Sequence, residues 1–312
     1  MQANVRAWES GGCLPTPLAS IWITSVCPLR CRHCYEGRQA LNARHLPKEQ
    51  VFQMIDRLTP FVHSISFMGG EPTTHPDLPE ICAYAHDRGA YTLLVTNGQQ
   101  LDREMVRELK GNIDCMKIGM DGVSSDTHDA VRGRGTFARA LQSWDVAASV
   151  FPVMCKFTVN AMNMSQLPQL SAFCRSIGAR RLVINRWTDV GAGAEARHGR
   201  FRLSADQVAE INAFVQNVLK SDYARLPVSR SCSLDHGCRE QPARTYYVTS
   251  TGGVAPCIFS GHRAIGTLFD EREDVAALLA RVNASRPSVD DLHVPSTRGR
   301  ILLPTQQTRC AL

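Results

Sequence analysis

The sequence predicts an α/β protein, a partial TIM-like (β/α)6 barrel followed by a small C-terminal α+β domain. From residue 19 onward, β-rich runs alternate with runs of helical period six times. After residue 222 this alternation gives way to a hairpin pattern and a single helix. Successive βα units form a parallel sheet whose right-handed crossovers curl it into a barrel. We expect the barrel to stay open, because a closed one needs two more units and the later residues do not predict them.

The predicted elements follow one another in regular order. The strands are residues 19–26, 64–68, 91–96, 115–120, 153–160 and 181–187. The helices are residues 47–58, 77–88, 102–110, 136–149, 165–177 and 204–220. Pro47 suits a first helical turn, and Asp102, Thr136 and Ser204 suit helix N-caps. Glycines such as Gly89 follow the predicted helix ends.

A change of pattern near residue 222 predicts a domain boundary. Residues 245–250 and 254–259 are β-prone and flank Thr251-Gly252-Gly253, which is typical of a hairpin turn. One more helix is predicted near residues 272–283. We therefore expect an N-terminal extension at residues 1–18, a barrel domain at residues 19–222 and a C-terminal domain at residues 223–312.

Composition and charge exclude several classes of protein. The 312 residues are 44% hydrophobic and 21% charged, which is ordinary for a soluble globular chain. No apolar run is long enough to span a membrane, and the first residues lack a secretory signal, so we expect a cytoplasmic protein. The net charge of +6 is mild and no nucleic-acid-binding motif is present, so neither nucleic acid nor membrane is an expected partner.

Three of the twelve cysteines follow the first predicted strand with the spacing C-x3-C-x2-C, namely Cys27, Cys31 and Cys34. Three thiolates on one loop can hold a [4Fe-4S] cluster by three of its irons, which leaves the fourth iron open to a small molecule. A zinc site is the alternative, with His33 as the fourth ligand. Four other cysteines lie in periodic apolar segments and are expected in the core; they are Cys82, Cys115, Cys155 and Cys174.

Further polar or glycine-rich segments follow the other predicted strands. Gly69-Gly70-Glu71-Pro72 comes directly after the second strand. Asn97, Asp121 and Asn160 follow the third, fourth and fifth strands. Because ligands gather at the carboxyl ends of parallel strands, we expect these groups to share one site. Asn-Gly and Asp-Gly pairs are also ordinary turn formers.

The cysteine triplet, with His33 before its last member, and the Gly-Gly-Glu-Pro segment together resemble the signature of radical S-adenosylmethionine (SAM) enzymes. The resemblance implies that a cluster on the three cysteines donates an electron to SAM. The products are methionine and a 5′-deoxyadenosyl radical that abstracts a substrate hydrogen. It also implies a SAM site in which the glycine pair approaches the amino group, Glu71 shapes the loop, His33 packs near the adenine, and polar groups bind ribose and carboxylate. The residues implied are His33, Gly69, Gly70, Glu71, Asn97, Asp121 and Asn160.

A second set of cysteines lies in the predicted C-terminal domain. Cys238, thirteen residues, Gly252, four residues and Cys257 resemble the opening of the auxiliary-cluster modules called SPASM and twitch. The resemblance implies a second [4Fe-4S] cluster, with Cys232 and Cys310 as available further ligands. The later cysteine run of a full SPASM domain is absent, so at most one auxiliary cluster is expected. A zinc site built from the same cysteines is the alternative.

The resemblance implies a radical SAM oxidoreductase that receives electrons from a flavodoxin or ferredoxin. We expect a small polar metabolite as substrate, because few residues precede the first strand and the auxiliary domain is short. Maturation of a ribosomally made peptide is the close alternative, and a non-catalytic zinc-binding module is a third reading. No catalytic acid or base is assigned. Several charges are candidates for substrate contact but are equally compatible with solvated loops; they are Lys156, Arg186, Asp189, Glu195 and Arg239.

Overall fold

The computed structural model describes residues 17–37, 43–221, 228–230, 245–258 and 264–286. Their strands form one sheet in the order β10-β9-β8-β1-β2-β3-β4-β5-β6-β7. The strands from β1 to β7 pair in parallel with their neighbours. Those strands are β1 Leu18–Thr24, β2 Ser64–Gly69, β3 Tyr91–Thr96, β4 Cys115–Met120, β5 Val153–Val159, β6 Arg181–Arg186 and β7 Val228–Arg230.

Helices connect these strands and cover the outer face of the sheet. They are α1 Lys48–Leu58, α2 Leu78–Asp87, α3 Arg103–Leu109, α4 Ser125–Arg132, α5 Thr136–Ala148, α6 Leu167–Ser176 and α7 Ala205–Ser221. The first of them buries Val51, Met54, Ile55 and Leu58, a spacing that places them on one face. Outward-facing strand residues join these helix residues in one large core. The predicted α/β barrel is therefore confirmed.

Two of the predicted helix caps are confirmed and one is wrong. The Asp102 carboxylate accepts the Met105 N–H at 2.9 Å, and the Ser204 hydroxyl accepts the Gln207 N–H at 3.2 Å. Thr136 does not cap α5. The Asp129 carboxylate does so instead, because α4 ends close enough for Asp129 to accept the Phe137 N–H at 2.8 Å.

Two elements of the barrel were missed by the sequence reading. The strand β7 pairs in parallel with β6 and adds a seventh strand to the barrel, although no unit was expected after residue 222. With three residues, β7 is too short to show a strand periodicity. The helix α4 is two turns long and was not among the predicted helices.

The predicted hairpin is confirmed, with strands shorter than expected. β8 (Thr245–Val248) pairs antiparallel with β9 (Gly253–Ala255), and Gly252 takes a φ of +77° in the turn between them. β8 also pairs in parallel with β1, so the hairpin continues the barrel sheet. β10 (Gly266–Thr267) and α8 (Val275–Ala284) follow. The domain boundary near residue 222 stays a prediction.

The interior of the sheet holds a smaller set of apolar side chains than the outer face. Tyr91, Leu93, Cys115, Met154 and Val183 form this inner cluster. All four cysteines expected in the core are buried free thiols. Within the described ranges, no helix has the length and apolar character that crossing a bilayer requires.

Candidate functional site

The three predicted cluster ligands lie on one loop that follows β1 at the carboxyl end of the barrel. Backbone hydrogen bonds anchor this loop on two sides. The Arg32 N–H donates to the Val131 carbonyl of α4 at 2.9 Å, and the Ala192 N–H donates to the Cys34 carbonyl at 2.8 Å. Cys27, Cys31 and Cys34 are free thiols of intermediate exposure. The loop therefore presents three sulfurs from a backbone held by the barrel rim.

The chemistry of these sulfurs fits a metal cluster. Burial raises the pKa of the Cys31 thiol to about 12, and it raises the pKa of Cys27 and Cys34 above the ordinary value of 9.0. A buried thiol ionises only when a nearby cation compensates for the thiolate charge, and bound iron supplies that compensation. The Asn97 Nδ2 atom lies 3.7 Å from the Cys27 sulfur, which places an N–H donor next to one ligand. Such donors tune iron-sulfur clusters.

The glycine pair after β2 packs directly against the start of the cysteine loop. Gly69 has a φ of +141°, and a Cβ there would lie 2.2 Å from the Thr24 carbonyl oxygen. A Cβ on Gly70 would lie 2.3 Å from the Val26 carbonyl oxygen. In the native backbone, the Gly70 N–H donates to the Thr24 carbonyl at 2.8 Å. The two glycines are therefore required for close backbone packing at the rim, and their contact with SAM stays a prediction.

Glu71 joins the carboxyl ends of β2 and β3 through its buried carboxylate. This carboxylate accepts the Thr96 hydroxyl at 2.6 Å, the Asn97 N–H at 2.7 Å and the Thr73 hydroxyl at 2.7 Å. Burial raises the pKa of Glu71, and these donors act against that rise because they favour the ionised form. The contacts match the loop-shaping role that the resemblance implied. They also hold Asn97 at the distance from Cys27 given above.

Asp121 gathers three segments around one fully buried carboxylate at the end of β4. Its Oδ2 atom lies 2.6 Å from His33 Nε2 and 2.5 Å from Arg132 Nε, and its Oδ1 atom accepts the Thr158 N–H at 3.1 Å. Burial alone would raise the pKa of Asp121, but the charges of Arg132 and His33 hold it well below its usual value. The carboxylate is therefore ionised and bound by three protein donors, and its contact with SAM stays a prediction.

His33 lies beside an aromatic surface at the same rim. Its ring meets Trp187 edge-on at a centroid distance of 6.4 Å, and Trp187 stacks on Phe201 at 5.2 Å. The Trp187 indole N–H donates to the Asp189 carboxylate at 3.1 Å. A flat, apolar surface next to the cysteine loop suits a purine ring. The predicted contact between His33 and adenine stays a prediction.

Asn160 lies at the end of β5, where its side chain shapes a turn. Its Oδ1 atom accepts the Met162 N–H at 3.0 Å. The neighbouring Asn163 carries the link between strands, because its Nδ2 atom donates to the Asp121 and Thr158 carbonyls at 2.9 Å each. Contact of Asn160 with SAM stays a prediction.

Sequence reasoning missed Asn163, which carried no motif. Two further residues complete this rim. They are Trp187, at the end of the sixth predicted strand, and Arg132, whose guanidinium donates to Asp121. A Cβ on Gly119 would lie 2.2 Å from the Arg132 Nη2 atom, so the glycine makes room for the guanidinium. The juxtaposition of Gly119 and Arg132 depends on how α4 returns to the sheet.

The predicted auxiliary site lies mostly outside the described residues. Cys232, Cys238 and Cys310 fall in the ranges that the structure does not describe. Cys257 is buried just after β9. The ligand assignments of this second site stay predictions.

A comparison with protein families decides the identity of the barrel. Residues 21–165, from β1 to the turn before α6, match the model of the Radical SAM superfamily. The chain therefore carries a radical SAM domain at residues 21–165. This domain confirms the predicted cofactors, a [4Fe-4S] cluster and SAM. The assignment of that cluster to Cys27, Cys31 and Cys34 stays a prediction, since no group of three or more His, Cys, Asp or Glu side chains among the described residues is arranged to hold a metal ion.

This radical SAM protein is similar in sequence to several named proteins. Fe-coproporphyrin III synthase of Methanosarcina barkeri is 35% identical over 156 residues, covering 48% of this chain and 39% of that protein. Mycofactocin maturase MftC of Mycobacterium ulcerans is 31% identical over 211 residues, covering 66% of this chain and 56% of that protein. PqqA peptide cyclase of Gluconobacter oxydans is 27% identical over 259 residues, covering 78% and 71%. The chain thus spans between 39% and 56% of the first two relatives.

A solved structure shares the fold of this radical SAM protein. SuiB of Streptococcus suis, bound to S-adenosylmethionine, aligns with a TM-score of 0.66 and 16% sequence identity. The alignment covers 87% of this chain and 68% of SuiB. It confirms the fold class predicted from the βα alternation.

Proposed function

We propose that this radical SAM protein modifies a peptide substrate. The observation that carries the proposal is the similarity to PqqA peptide cyclase, because it extends over 259 residues and therefore beyond the matched domain. The similarity to mycofactocin maturase supports the same substrate class. These relatives favour the peptide alternative over the small polar metabolite that the sequence suggested.

Residues at the barrel rim can hold the cofactors and keep the cysteine loop in place, which hydrogen abstraction by a radical requires of the protein. When bound, the cluster and SAM supply a 5′-deoxyadenosyl radical that removes a hydrogen from the substrate. Cys27, Cys31 and Cys34 would hold the cluster. Asp121 fixes His33 and Arg132 beside the loop, and Glu71 fixes Asn97. A preorganised rim keeps the reacting groups in place without reorganisation during the reaction.

The enzymatic part of the proposal is tested with anaerobically reconstituted protein. We expect brown protein whose reduced form cleaves SAM to 5′-deoxyadenosine. The triple variant Cys27→Ala, Cys31→Ala, Cys34→Ala should lose this cleavage, whereas Cys82→Ala, which removes a buried core thiol, should retain it. Wild-type protein that binds zinc tightly and leaves SAM intact would contradict the proposal.

The substrate class is tested separately by mass spectrometry. Short peptides encoded beside the gene are incubated with the reduced enzyme and SAM, and we expect a mass change in one of them that requires both. The control omits SAM. Peptides that all stay unchanged while the enzyme cleaves SAM would rule out those precursors and favour a different substrate.

A second candidate function rests on the similarity to Fe-coproporphyrin III synthase. Its 35% identity is higher than that of the peptide-modifying relatives, but the match covers only 39% of that protein. This similarity supports conversion of a small molecule on the same barrel. Incubation with a porphyrin-type precursor tests it, and SAM-dependent formation of iron coproporphyrin III would favour it over the peptide.

We also propose the auxiliary [4Fe-4S] cluster predicted from Cys238 and Cys257. The described hairpin supports it, since Cys257 follows β9 and β10 then pairs antiparallel with β9. Two clusters would give about eight irons per chain. The Cys257→Ala variant should fall to about four irons, and Cys174→Ala, another buried thiol, should keep about eight. Equal iron in both variants would overturn the second cluster.

An acidic flavodoxin or ferredoxin is the proposed electron donor. The guanidinium carbons of Arg32 and Arg200 lie 5.5 and 4.9 Å from the centroid of the Phe201 ring, which places two cations together beside the cysteine loop. Opposite charge steers such encounters, and salt screens it. Reduction by flavodoxin should slow in high salt and in Arg200→Gln, while reduction by dithionite should not change. Free core thiols also suit the reducing cytoplasm expected from the sequence.

A further inference from the structure

Part of the inner face of the barrel is accessible to solvent, although other inner residues are buried. On β4, Lys117 is partly exposed between Met116 and Ile118, which are fully buried beneath helices. On β5, Lys156 and Thr158 are partly exposed in the same alternating pattern. Successive strand residues point to opposite faces, so these partly exposed side chains line the interior. The interior below the cysteine loop is therefore partly open to solvent at these positions.

Two lysines face this interior from neighbouring strands. In the sheet register, Lys117 lies beside Met154 and Lys156 lies beside Gly119, so the lysines are one interior layer apart. Burial lowers the pKa of Lys117 to about 8, and the positive charges of Lys156 and Arg181 contribute to that shift. The interior thus places the positive charges of Lys156 and Arg181 near the Lys117 ammonium, which has no carboxylate partner among the described residues.

A third hydrogen-bond donor lies at the same depth in the barrel. Trp22 on β1 lies beside Met68 on β2, and Val95 on β3 lies beside Lys117 on β4. Extending the β2–β3 register by one residue aligns Met68 with Val95, which places Trp22 and Lys117 in one layer. The Trp22 side chain is 7% exposed, and its Nε1 atom has no hydrogen-bond partner in the described part of the chain. Buried indole N–H groups normally have an acceptor. A ligand oxygen would provide one.

We propose that Lys117, Lys156 and Trp22 form a subsite for a carboxylate of the substrate. This subsite rests on the proposed function, because the subsite requires the substrate to bind inside the barrel beneath the cysteine loop. Ammonium and N–H donors match the acceptor-only oxygens of a carboxylate. Apolar neighbours in the same layers, Met68 and Met154, suit the carbon skeleton of an organic acid.

The depth of the subsite sets the distance between the carboxylate of the substrate and its reacting carbon. Asp121 at the rim follows Lys117 by four residues on β4, which corresponds to roughly 13 Å of strand. The carboxylate would therefore bind well below the rim. The reacting carbon would lie several bonds away from it, beside the cysteine loop.

Binding of matched probes to the reconstituted, SAM-loaded enzyme tests the subsite. The probes are 3-phenylpropionate and its amide, and the tripeptide N-acetyl-Gly-Gly-Phe with a free or an amidated C-terminus. Ligand-observed NMR gives the dissociation constants. Because a hydrogen bond to a charged group outweighs a neutral one, we expect the acids to bind about tenfold more tightly than the amides.

The variants identify the groups responsible for this preference. Lys117→Met and Lys156→Met should each lose it, Lys117→Arg should keep it, and Lys110→Met, which changes an exposed lysine at the end of α3, should also keep it. Thermal unfolding of each variant confirms that it is folded. A preference that is absent in the wild type, or unchanged in both methionine variants, overturns the subsite.

The same experiment distinguishes the sources of the carboxylate. Preference within the tripeptide pair alone assigns a peptide carboxylate, preference within the phenylpropionate pair alone assigns a small acid, and preference in both assigns the shared group. Inorganic phosphate that binds more tightly than either acid overturns the carboxylate assignment. Iron content and SAM cleavage of the same samples test the proposed function independently, because probe binding requires no turnover.

Discussion

The Nε2 atom of His33 lies 2.6 Å from the Oδ2 atom of Asp121, although 88 residues separate them in the chain. The contact joins the cysteine loop to the end of β4. Arg132 reaches the same carboxylate from α4. Three distant segments therefore meet at one buried charge, and this holds the loop against the barrel rim.

The Asp121→Asn variant should lose much of its stability. Removing the carboxylate leaves the buried Arg132 without its counter-ion, and breaking a buried pair costs about 3 to 5 kcal/mol. Urea denaturation measures the free energy of unfolding. The control is Asp56→Asn, whose partner Arg88 is exposed, and it should cost less than about 1 kcal/mol. Equal losses in the two variants would show that the Asp121 contacts contribute little.

The Gly70→Ala variant should weaken the packing of the cysteine loop. The new Cβ would meet the Val26 carbonyl oxygen at 2.3 Å, so the loop must move. We expect a loss of about 1 to 3 kcal/mol in unfolding free energy and less iron bound per chain. Gly199→Ala is the matched control, because a Cβ there has no neighbour within 4 Å. Wild-type iron content in Gly70→Ala would refute the expectation.

The Glu71→Gln variant should disturb the position of Asn97. The carboxylate accepts hydrogen bonds on both oxygens, and an amide would turn an N–H group toward one of those donors. The lost bonds should cost about 1 to 3 kcal/mol. Hydrogen exchange should quicken at residues 96–98 while Glu108→Gln, an exposed change on α3, leaves exchange unaltered. Unchanged exchange in Glu71→Gln would argue against the positioning role.

The Lys117→Met variant should be more stable than the wild type at pH 7. Burial lowers the pKa of Lys117 to about 8 in the folded protein, against 10.5 as the ordinary value. Below pH 8 the lysine is charged in both states, so the cost of desolvating the ammonium and the repulsion from Lys156 and Arg181 both oppose folding there. The penalty amounts to at most about 3 kcal/mol and disappears as the pH rises from about 8 to 10.5.

Urea denaturation at pH 7 and pH 10 checks this expectation without added substrate. The gain in Lys117→Met should be smaller at pH 10, where the wild type has recovered most of the difference. Lys110→Met should stay within about 0.5 kcal/mol of the wild type at both values. A gain at pH 7 would mean that a destabilising lysine is retained in the barrel for binding, which is common at functional sites. No gain at pH 7 would contradict the burial of the charge.

The positions of strands and chemistry-bearing residues could be predicted from the sequence because local patterns encode them. The run that forms β3 is β-prone and apolar, and the observed bounds match the predicted residues 91–96. The cysteine spacing predicted the cluster loop in the same way, since three ligands within eight residues need no long-range contact to be recognised. Short elements were harder, and β7 was missed because three residues show no period.

Local sequence patterns establish which residues stand at the strand ends and which chemistry their side chains can carry. Tertiary structure alone decided their partners: Asp121 meets His33 and Arg132, Gly70 packs on Val26, and Lys117 shares an interior layer with Trp22. Strand order and register set these contacts. For example, β8 pairs with β1 although the two strands lie far apart in the chain. Periodicity reports the face on which a side chain lies, whereas its partner depends on which strands the folded sheet brings side by side.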